Sequence, residues 1–315
     1  MPNAPPEALV KRFQDDLSAL IGHSPQRIAL AISGGADSLG LLLLAQAAYP
    51  RQIEAATVDH GLRPAALGEA RFVADICETL GVPHEILTLS PFESGNVSDW
   101  ARRERYRALG DWVEKKGLSV LLTAHHADDQ LETMIMRLNR GSGLAGLSGI
   151  RAERDGLARP LLGWRKGELE ALVADAGIKA VDDPTNRDDQ FDRARLRKSL
   201  ASADWLDPIA ANRSASALAD AEAALVWTTK AYLNRRTAVQ NGVLSLDPRD
   251  LPRELLRRLT LACLEQINPD AKPRGDALER LISALSRGQT VALAGVKCIG
   301  GTFWLFSLAP PRRKN

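Results

Sequence analysis

The chain has 315 residues, of which 45% are apolar and 25% are charged, a composition typical of a globular protein with room for two domains. Its longest apolar run, residues 39–48, is shorter than the roughly 20 residues that a membrane helix needs, and no secretory leader is expected, so we expect a cytoplasmic protein without a membrane partner. The 41 basic and 39 acidic side chains nearly balance, which neither requires nor excludes nucleic acid.

Residues 7–123 alternate amphipathic stretches with short apolar runs. Helices are predicted over 7–20, from 38 onward, over 65–80 and over 97–116, and buried strands over 27–32, 53–58, 84–89 and 118–123. Strands separated by helices predict right-handed crossovers and a parallel sheet covered on both faces. The predicted fold class is therefore a doubly wound α/β domain.

The pattern changes beyond residue 128. We predict a helix that ends in the glycine-rich stretch 141–149, then a proline-interrupted region, helices over 165–176, 208–236, 252–266 and 276–287, and short strand-like runs over 291–294 and 303–308. A domain boundary near residue 215 would separate the α/β domain, residues 1–215, from a smaller, mainly helical domain, residues 216–315.

The turn after the first predicted strand reads Ser33-Gly34-Gly35-Ala36-Asp37-Ser38. In an open parallel sheet, ligands bind beyond the carboxyl ends of the strands, where glycines allow close approach and a helix amino terminus attracts anions. A carboxylate here would repel an oligophosphate unless a divalent cation lay between them, so Asp37 predicts a Mg²⁺ site. A structural glycine turn with a capping Asp or Ser is the alternative.

Two glycine motifs need to be distinguished. The first turn lacks the Lys-Ser/Thr pair of a Walker A motif, and residues 141–146 match GxGxxG but follow a predicted helix, which leaves nicotinamide or flavin binding a weak alternative. The SGGxDS turn instead resembles the PP-loop of the ATP pyrophosphatase superfamily, whose members cleave ATP to AMP and pyrophosphate. That resemblance implies that ATP is bound by residues 33–38.

A second polar group follows the predicted strand that ends at residue 123. His125, Asp129 and Glu132 are spaced i, i+4 and i+7, which would place them on one helix face where they converge on a metal or a cationic substrate. Capping by Asp128 and a solvated polar face is the alternative.

The string HHADDQLETMIMRLNRGSG, residues 125–143, resembles the signature of the tRNA(Ile)-lysidine synthase family, which also has a PP-loop. Further resembling segments are residues 58–63, 101–106, 159–162 and 183–186. The resemblance implies ligation of free L-lysine to C2 of the wobble cytidine of tRNA(Ile) with a CAU anticodon, through an adenylated base. A tRNA contact by the second domain and a homodimer are left open.

The resemblance also implies roles for individual residues. Asp37 would hold Mg²⁺ on the leaving pyrophosphate, Asp59 would join the nucleotide-binding residues, and Arg105 would neutralise charge at the α-phosphate. Asp129 and Glu132 would grip the lysine ammonium, with His125 positioning neighbouring groups. For Arg105 the alternative is a surface ion pair with Glu104 or Asp111.

One departure and three alternatives accompany this interpretation. Ala194 stands where the family usually has Asn, which puts an amide-specific contact there in doubt. A PP-loop enzyme that thiolates tRNA would be expected to carry clustered cysteines, whereas Cys77, Cys263 and Cys298 are isolated. An amide-forming PP-loop ligase would need a glutaminase partner, and a nucleotide- or RNA-binding module without catalysis would not require Asp37, Arg105, Asp129 and Glu132 together.

Overall fold

The computed structural model describes residues 2–22, 25–61, 66–92, 94–181, 192–200 and 202–310. They form two compact units, Met1–Ala219 and Asp220–Asn315, so the division lies after residue 219 rather than at the expected residue 215. In the described part of the chain, no helix combines the length and the apolar character needed to cross a bilayer.

The first unit alternates helices and strands, as predicted. Its helices are α1 (Glu7–Ile21), α2 (Ala36–Ala48), α3 (Ala66–Thr79), α4 (Val97–Lys116), α5 (Ala127–Asn139), the short α6 (Leu144–Leu147), α7 (Lys166–Asp175), α8 (Asp192–Leu200) and the first part of α9 (Pro208–Arg236), with a 3-10 turn over Pro160–Gly163. Its strands are β1 (Ile28–Ala31), β2 (Ile53–Asp59), β3 (His84–Thr88), β4 (Val120–Leu122), β5 (Glu153–Arg154) and β6 (Leu157–Ala158).

These six strands form one sheet in the order β3-β2-β1-β4-β6-β5. The first five strands in that order are parallel to one another, and β5 at the edge is antiparallel to β6. The doubly wound α/β fold is thereby confirmed. No strand was predicted between residues 128 and 165, because β5 and β6 have two residues each and are too short to show a strand periodicity.

Both faces of β1 are covered, which explains why this strand reads as an uninterrupted apolar run. Ile28 and Leu30 belong to the large core cluster that includes side chains of α1, α2, α3 and α7. Ala29 belongs to a second cluster with Leu109 and Trp112 of α4. Since successive side chains of a strand point to opposite faces, helices lie on both sides of the sheet.

The second unit combines the expected helices with an antiparallel sheet. After α9 come β7 (Thr237–Gln240), β8 (Val243–Leu246), α10 (Arg253–Ile267), α11 (Gly275–Ser286), β9 (Thr290–Leu293), β10 (Val296–Ile299) and β11 (Trp304–Leu308). The sheet order is β7-β8-β11-β10-β9, and its core includes Leu259, Leu281, Trp304 and Phe306. Only β9 and β11 correspond to runs predicted from the sequence.

Candidate active site

The strand order brings the two polar segments of the sequence together. β1 pairs directly with β4 in parallel register, so the turns that follow these strands leave the same edge of the sheet side by side. β2 and β3 lie on one side of β1, whereas β4 and β6 lie on the other. This reversal of strand order is the position at which open α/β sheets form their ligand crevice.

The glycine turn after β1 is held in shape by its own last residue. Ser38 Oγ accepts hydrogen bonds from the backbone N–H groups of Ser33 (3.1 Å) and Gly34 (3.2 Å) and donates one to the carbonyl of Gly35 (2.9 Å). Gly34 has φ +87°, and a Cβ there would lie 3.2 Å from Val73 and 3.3 Å from Val181. The turn therefore leaves the first-turn amides of α2, rather than the Ser38 hydroxyl, as the donors for an anion.

His126 joins the two turns. Its Nε2 lies 3.5 Å from Asp37 Oδ2 and 3.5 Å from Asp129 Oδ2, and its Nδ1 lies 3.6 Å from Asp128 Oδ2. The ring is 2% exposed. Burial acts to lower the pKa of His126, but the hydrogen bonds and charges of Asp128, Asp37 and Asp129 prevail and raise it to about 10. In the neutral ring Nδ1 accepts from the backbone N–H of Asp129 at 3.4 Å, and a proton on Nδ1 replaces that long hydrogen bond with the contact to Asp128 at 3.6 Å. The raised pKa of His126 favours the imidazolium, whose charge offsets part of the negative charge of the crevice.

Asp37 has an unused acceptor. Its Oδ1 is buried and has no hydrogen-bond partner among the residues that the structure describes. A buried carboxylate oxygen without a hydrogen-bond partner lowers the stability of the folded protein unless a ligand binds to it. Carboxylate oxygen is a preferred ligand of Mg²⁺. No group of three acidic, His or Cys side chains with metal-site geometry occurs within the described ranges, so phosphate and water oxygens would have to supply the other ligands.

The acidic pair on α5 meets two arginines of α8. Glu132 is 5% exposed, and its carboxylate oxygens accept from Arg193 Nε at 2.8 Å and from Arg197 Nε at 2.6 Å. Asp129 Oδ1 lies 3.6 Å from Arg193 Nη2 and 3.5 Å from Arg197 Nη2. The guanidinium groups thus bind Glu132 directly and contact Asp129 only at longer range and through one of its two oxygens.

His125 lies outside the helix on which it was placed, because α5 begins at residue 127 with His126 as its N-cap. Its Nδ1 is 2.9 Å from Thr123 Oγ1. Burial is the main cause that lowers the pKa of His125 to about 4; the nearby Asp129 opposes this shift, while Arg159, Arg102 and Arg193 add to it. The ring is therefore neutral at physiological pH.

Arg105 belongs to α4, which packs against β2. Burial lowers the pKa of His60, the residue after β2, and the charge of Arg105 lowers it further. Arg105 forms no ion pair with any acidic side chain of the described segments, because Glu104 and Asp111 are bound by Arg107 at 2.7 and 3.3 Å. The surface ion pair considered for Arg105 is thus formed by Arg107 instead.

Asp59 ends β2 at the same edge of the sheet as Asp37. It is 8% exposed, and its Oδ1 accepts from the backbone N–H of Gly61 at 2.9 Å. This bond fixes the turn after β2, and a nucleotide contact by Asp59 remains a prediction.

Three residues of the crevice were missed at the level of sequence: His126, Arg193 and Arg197. The spacing of His126 and Asp129 offered a signal for the first, because the Asp129 carboxylate accepts from the backbone N–H of His126 at 3.3 Å, as in a capping box. The two arginines lie close to Ala194, where the sequence departs from the family pattern. Residues 62–63 and 183–186, which carry part of the family resemblance, and the side chain of Ala194 lie outside what the structure describes.

The chain is similar to known proteins over most of its length. A family model described as PP-loop domain matches residues 7–203. The tRNA(Ile)-lysidine synthase of Zymomonas mobilis subsp. mobilis is 43% identical over 298 residues, which cover 91% of this chain and 90% of that protein. The tRNA(Ile)-lysidine synthase of Novosphingobium aromaticivorans is 44% identical over 313 residues, which cover 96% and 95%.

Among solved structures, the U34-tRNA thiolase NcsA from Methanococcus maripaludis with its 4Fe-4S cluster gives a TM-score of 0.55 at 17% identity, covering 67% of this chain and 79% of that chain. At this identity the likeness shows a shared fold alone. With a PP-loop domain over residues 7–203 and relatives that match it over more than nine tenths of its length, the chain belongs to the tRNA(Ile)-lysidine synthase family.

Proposed function

We propose that the protein ligates the ε-amine of free L-lysine to C2 of the wobble cytidine in tRNA(Ile) with a CAU anticodon, using ATP in the cytoplasm. One observation carries this proposal: Asp37 of the nucleotide turn and Asp129 of the acidic pair both lie 3.5 Å from the same ring nitrogen of His126. A nucleotide on the first turn and an amine at the second would share one crevice, as two consecutive half-reactions require.

In the first half-reaction the O2 atom of cytosine attacks the α-phosphorus of ATP, pyrophosphate leaves, and the base is adenylated. The first-turn amides of α2 hold the phosphates, and Arg105, without a carboxylate partner in the described chain, faces the charge that develops at the α-phosphate. Asp37 would hold Mg²⁺, which would neutralise charge on the leaving pyrophosphate.

In the second half-reaction the lysine amine attacks C2, AMP leaves, and the nitrogen loses a proton. Asp129, whose side chain is 14% exposed, is the carboxylate that holds the amine, whereas Glu132 lies deeper with both oxygens bound to arginines. The neutral ring of His125 positions neighbouring groups as a hydrogen-bond acceptor or donor without adding charge. Glu132 holds Arg193 and Arg197 beside Asp129.

Thiolation of tRNA receives no support from the thiols of this chain. Cys77, Cys263 and Cys298 are all buried, and burial is the main cause that raises the pKa of each to about 12. A thiol in that environment is not the thiolate that sulfur transfer uses.

The test is incubation of the purified protein with tRNA(Ile) transcript, Mg²⁺-ATP and radiolabelled lysine. We expect release of pyrophosphate and AMP and one labelled lysine in each tRNA, and no label in a transcript whose wobble cytidine is replaced by uridine. Asp37→Ala should abolish pyrophosphate release, while Asp111→Ala, which removes an exposed carboxylate of α4, should not. Unlabelled tRNA after pyrophosphate release would contradict the lysine step and leave the adenylation step standing.

A further inference from the structure

Glu132, Arg193 and Arg197 form a cluster of hydrogen-bonded charged side chains. Its geometry differs from that expected of a carboxylate that binds an amine. The carboxylate is buried, with 6% of its side chain exposed, while Arg193 and Arg197 are 42% and 35% exposed. Each oxygen accepts from one Nε, at 2.8 and 2.6 Å. An amine could reach Glu132 only by displacing a charge-assisted hydrogen bond, so the carboxylate is better placed to hold the arginines than to hold a substrate.

Holding two guanidinium groups side by side requires a counter-charge, because like charges repel at close range. Glu132 provides this negative charge, and Asp129 adds to it because its Oδ1 lies 3.6 Å from Arg193 Nη2 and 3.5 Å from Arg197 Nη2. Arg193 Nη2 also donates to Thr133 Oγ1 at 3.3 Å, and Arg197 Nη2 donates to Asp129 Oδ1 at 3.5 Å. A guanidinium has five N–H donors, and with the bonds through Nε these contacts use two of the five in each arginine. Both guanidinium groups are thus held in place by fixed hydrogen bonds.

The cluster faces the nucleotide crevice. Arg197 Nη2 lies 3.5 Å from Asp129 Oδ1, and His126 Nε2 lies 3.5 Å from both Asp129 Oδ2 and Asp37 Oδ2. This chain of contacts connects Arg197 to the glycine turn. The charge of Arg193 contributes to the lowered pKa of His125 at the end of β4. The arginines therefore border the space between the ends of β1 and β4.

We infer that Arg193 and Arg197 are a second anion-binding element of this crevice, that they contact phosphate oxygens of the bound nucleotide, and that Glu132 is the residue that positions them. The inference rests on the proposed nucleotide site. Phosphate oxygen is the shared chemistry of a nucleotide and of an RNA backbone. The nucleotide is favoured because the contacts through Asp129 and His126 lead from Arg197 to Asp37 of the glycine turn. Arginine matches phosphate geometry better than lysine does.

The test measures binding of Mg²⁺-ATP by equilibrium dialysis without tRNA, and binding of tRNA(Ile) transcript without ATP. Arg193→Gln, Arg197→Gln and Glu132→Gln should each weaken ATP binding by about 10-fold or more, the effect of losing one charge-assisted hydrogen bond. Arg197→Lys should restore part of the loss. Affinity for tRNA should change less than 3-fold in all of them.

Glu222→Gln is the matched control, because Glu222 binds Arg258 in the second unit at 2.6 and 2.9 Å with similar burial. It should lower stability without changing ATP affinity. Thermal unfolding of each variant checks that the protein is folded.

Two outcomes would overturn the inference: unchanged ATP affinity in Arg193→Gln and Arg197→Gln, or a loss confined to tRNA binding, which would assign the arginines to the RNA backbone. Glu132→Gln also separates the two roles of the carboxylate, since a direct grip on lysine predicts a raised KM for lysine with ATP affinity intact. Lack of lysine transfer by the unmodified protein would refute the proposed function while leaving the ATP measurements valid.

Discussion

Replacing His126 by Gln removes the positive charge that lies between Asp37, Asp128 and Asp129. Because the pKa of His126 rises from 6.5 to about 10, interaction with the charged ring corresponds to roughly 5 kcal/mol. The three carboxylates are 36%, 25% and 14% exposed, and solvent screening reduces that value. We expect the variant to lose about 2–4 kcal/mol of unfolding free energy at pH 6.

The pH dependence has a defined sign. The pKa of His126 is higher in the folded than in the unfolded state. Its contribution to the free energy of unfolding is therefore fully present below about pH 6.5 and is lost as pH rises through about 10. The stability difference between the unmodified protein and His126→Gln should therefore be largest near pH 6 and shrink toward pH 10. His125→Gln is the control with the opposite sign, because the pKa of His125 is lowered to about 4 in the folded state. The unfolded chain binds the proton first as pH falls below about 6.5, so the stability difference for His125→Gln should grow from pH 6 to pH 8 and then stay constant.

Urea unfolding at pH 6, 8 and 10, with EDTA present to keep divalent ions from Asp37, measures these differences. NMR titration of the ring protons, feasible with five histidines in the chain, measures the pKa directly. A ring signal of His126 that titrates near pH 6.5 would refute the reasoning. So would a stability loss in His125→Gln that matches His126→Gln in both size and pH dependence.

Three further predictions concern the glycine turn, Arg105 of α4 and the cysteine thiols. Gly34→Ala should lower the free energy of unfolding by about 1–2 kcal/mol and weaken ATP binding, because φ is +87° and the added Cβ meets Val73. Gly22→Ala is the control: φ is +70° there, open space surrounds the residue, and ATP binding should stay intact. Arg105→Gln should slow pyrophosphate release by roughly 100-fold and Arg107→Gln, which loses only surface ion pairs, by less than 2-fold in the same assay. The cysteines should not react with a thiol reagent at pH 8 until the protein is unfolded, since their pKa values in the folded protein are about 12. Because the thiols ionise more easily in the unfolded chain, the free energy of unfolding should fall as pH rises above about 9.

The order of the large elements was accessible from the sequence because it depends on local periodicity. The helix predicted over 97–116 has those same bounds in the structure, and the first strand differs by one residue at each end. β5 and β6 were missed because the pairing of β6 with β4 and of β5 with β6, rather than any pattern of their own, makes them strands. β7, β8 and β10 are four-residue strands whose sheet partners are equally invisible in the local sequence.

The chemistry of the site was accessible only in part. Motif spacing located Asp37 and Asp129, and parallel pairing of β1 with β4 then accounts for their proximity. The sequence could not show which of two adjacent histidines is enclosed by carboxylates, because that depends on where α5 begins. Nor could it show that Arg193 and Arg197, more than sixty residues from Glu132, occupy that carboxylate.

The pairing of β1 with β4 also bears on how the protein comes into being. Ile28 lies beside Val120, so the glycine turn emerges from the ribosome long before the strand that completes its surroundings has been translated. Long-range parallel pairing of this kind forms slowly, because a large loop must close first. A nascent or truncated chain that carries the turn alone has no crevice, and nucleotide capture therefore reports that the whole first unit has finished folding.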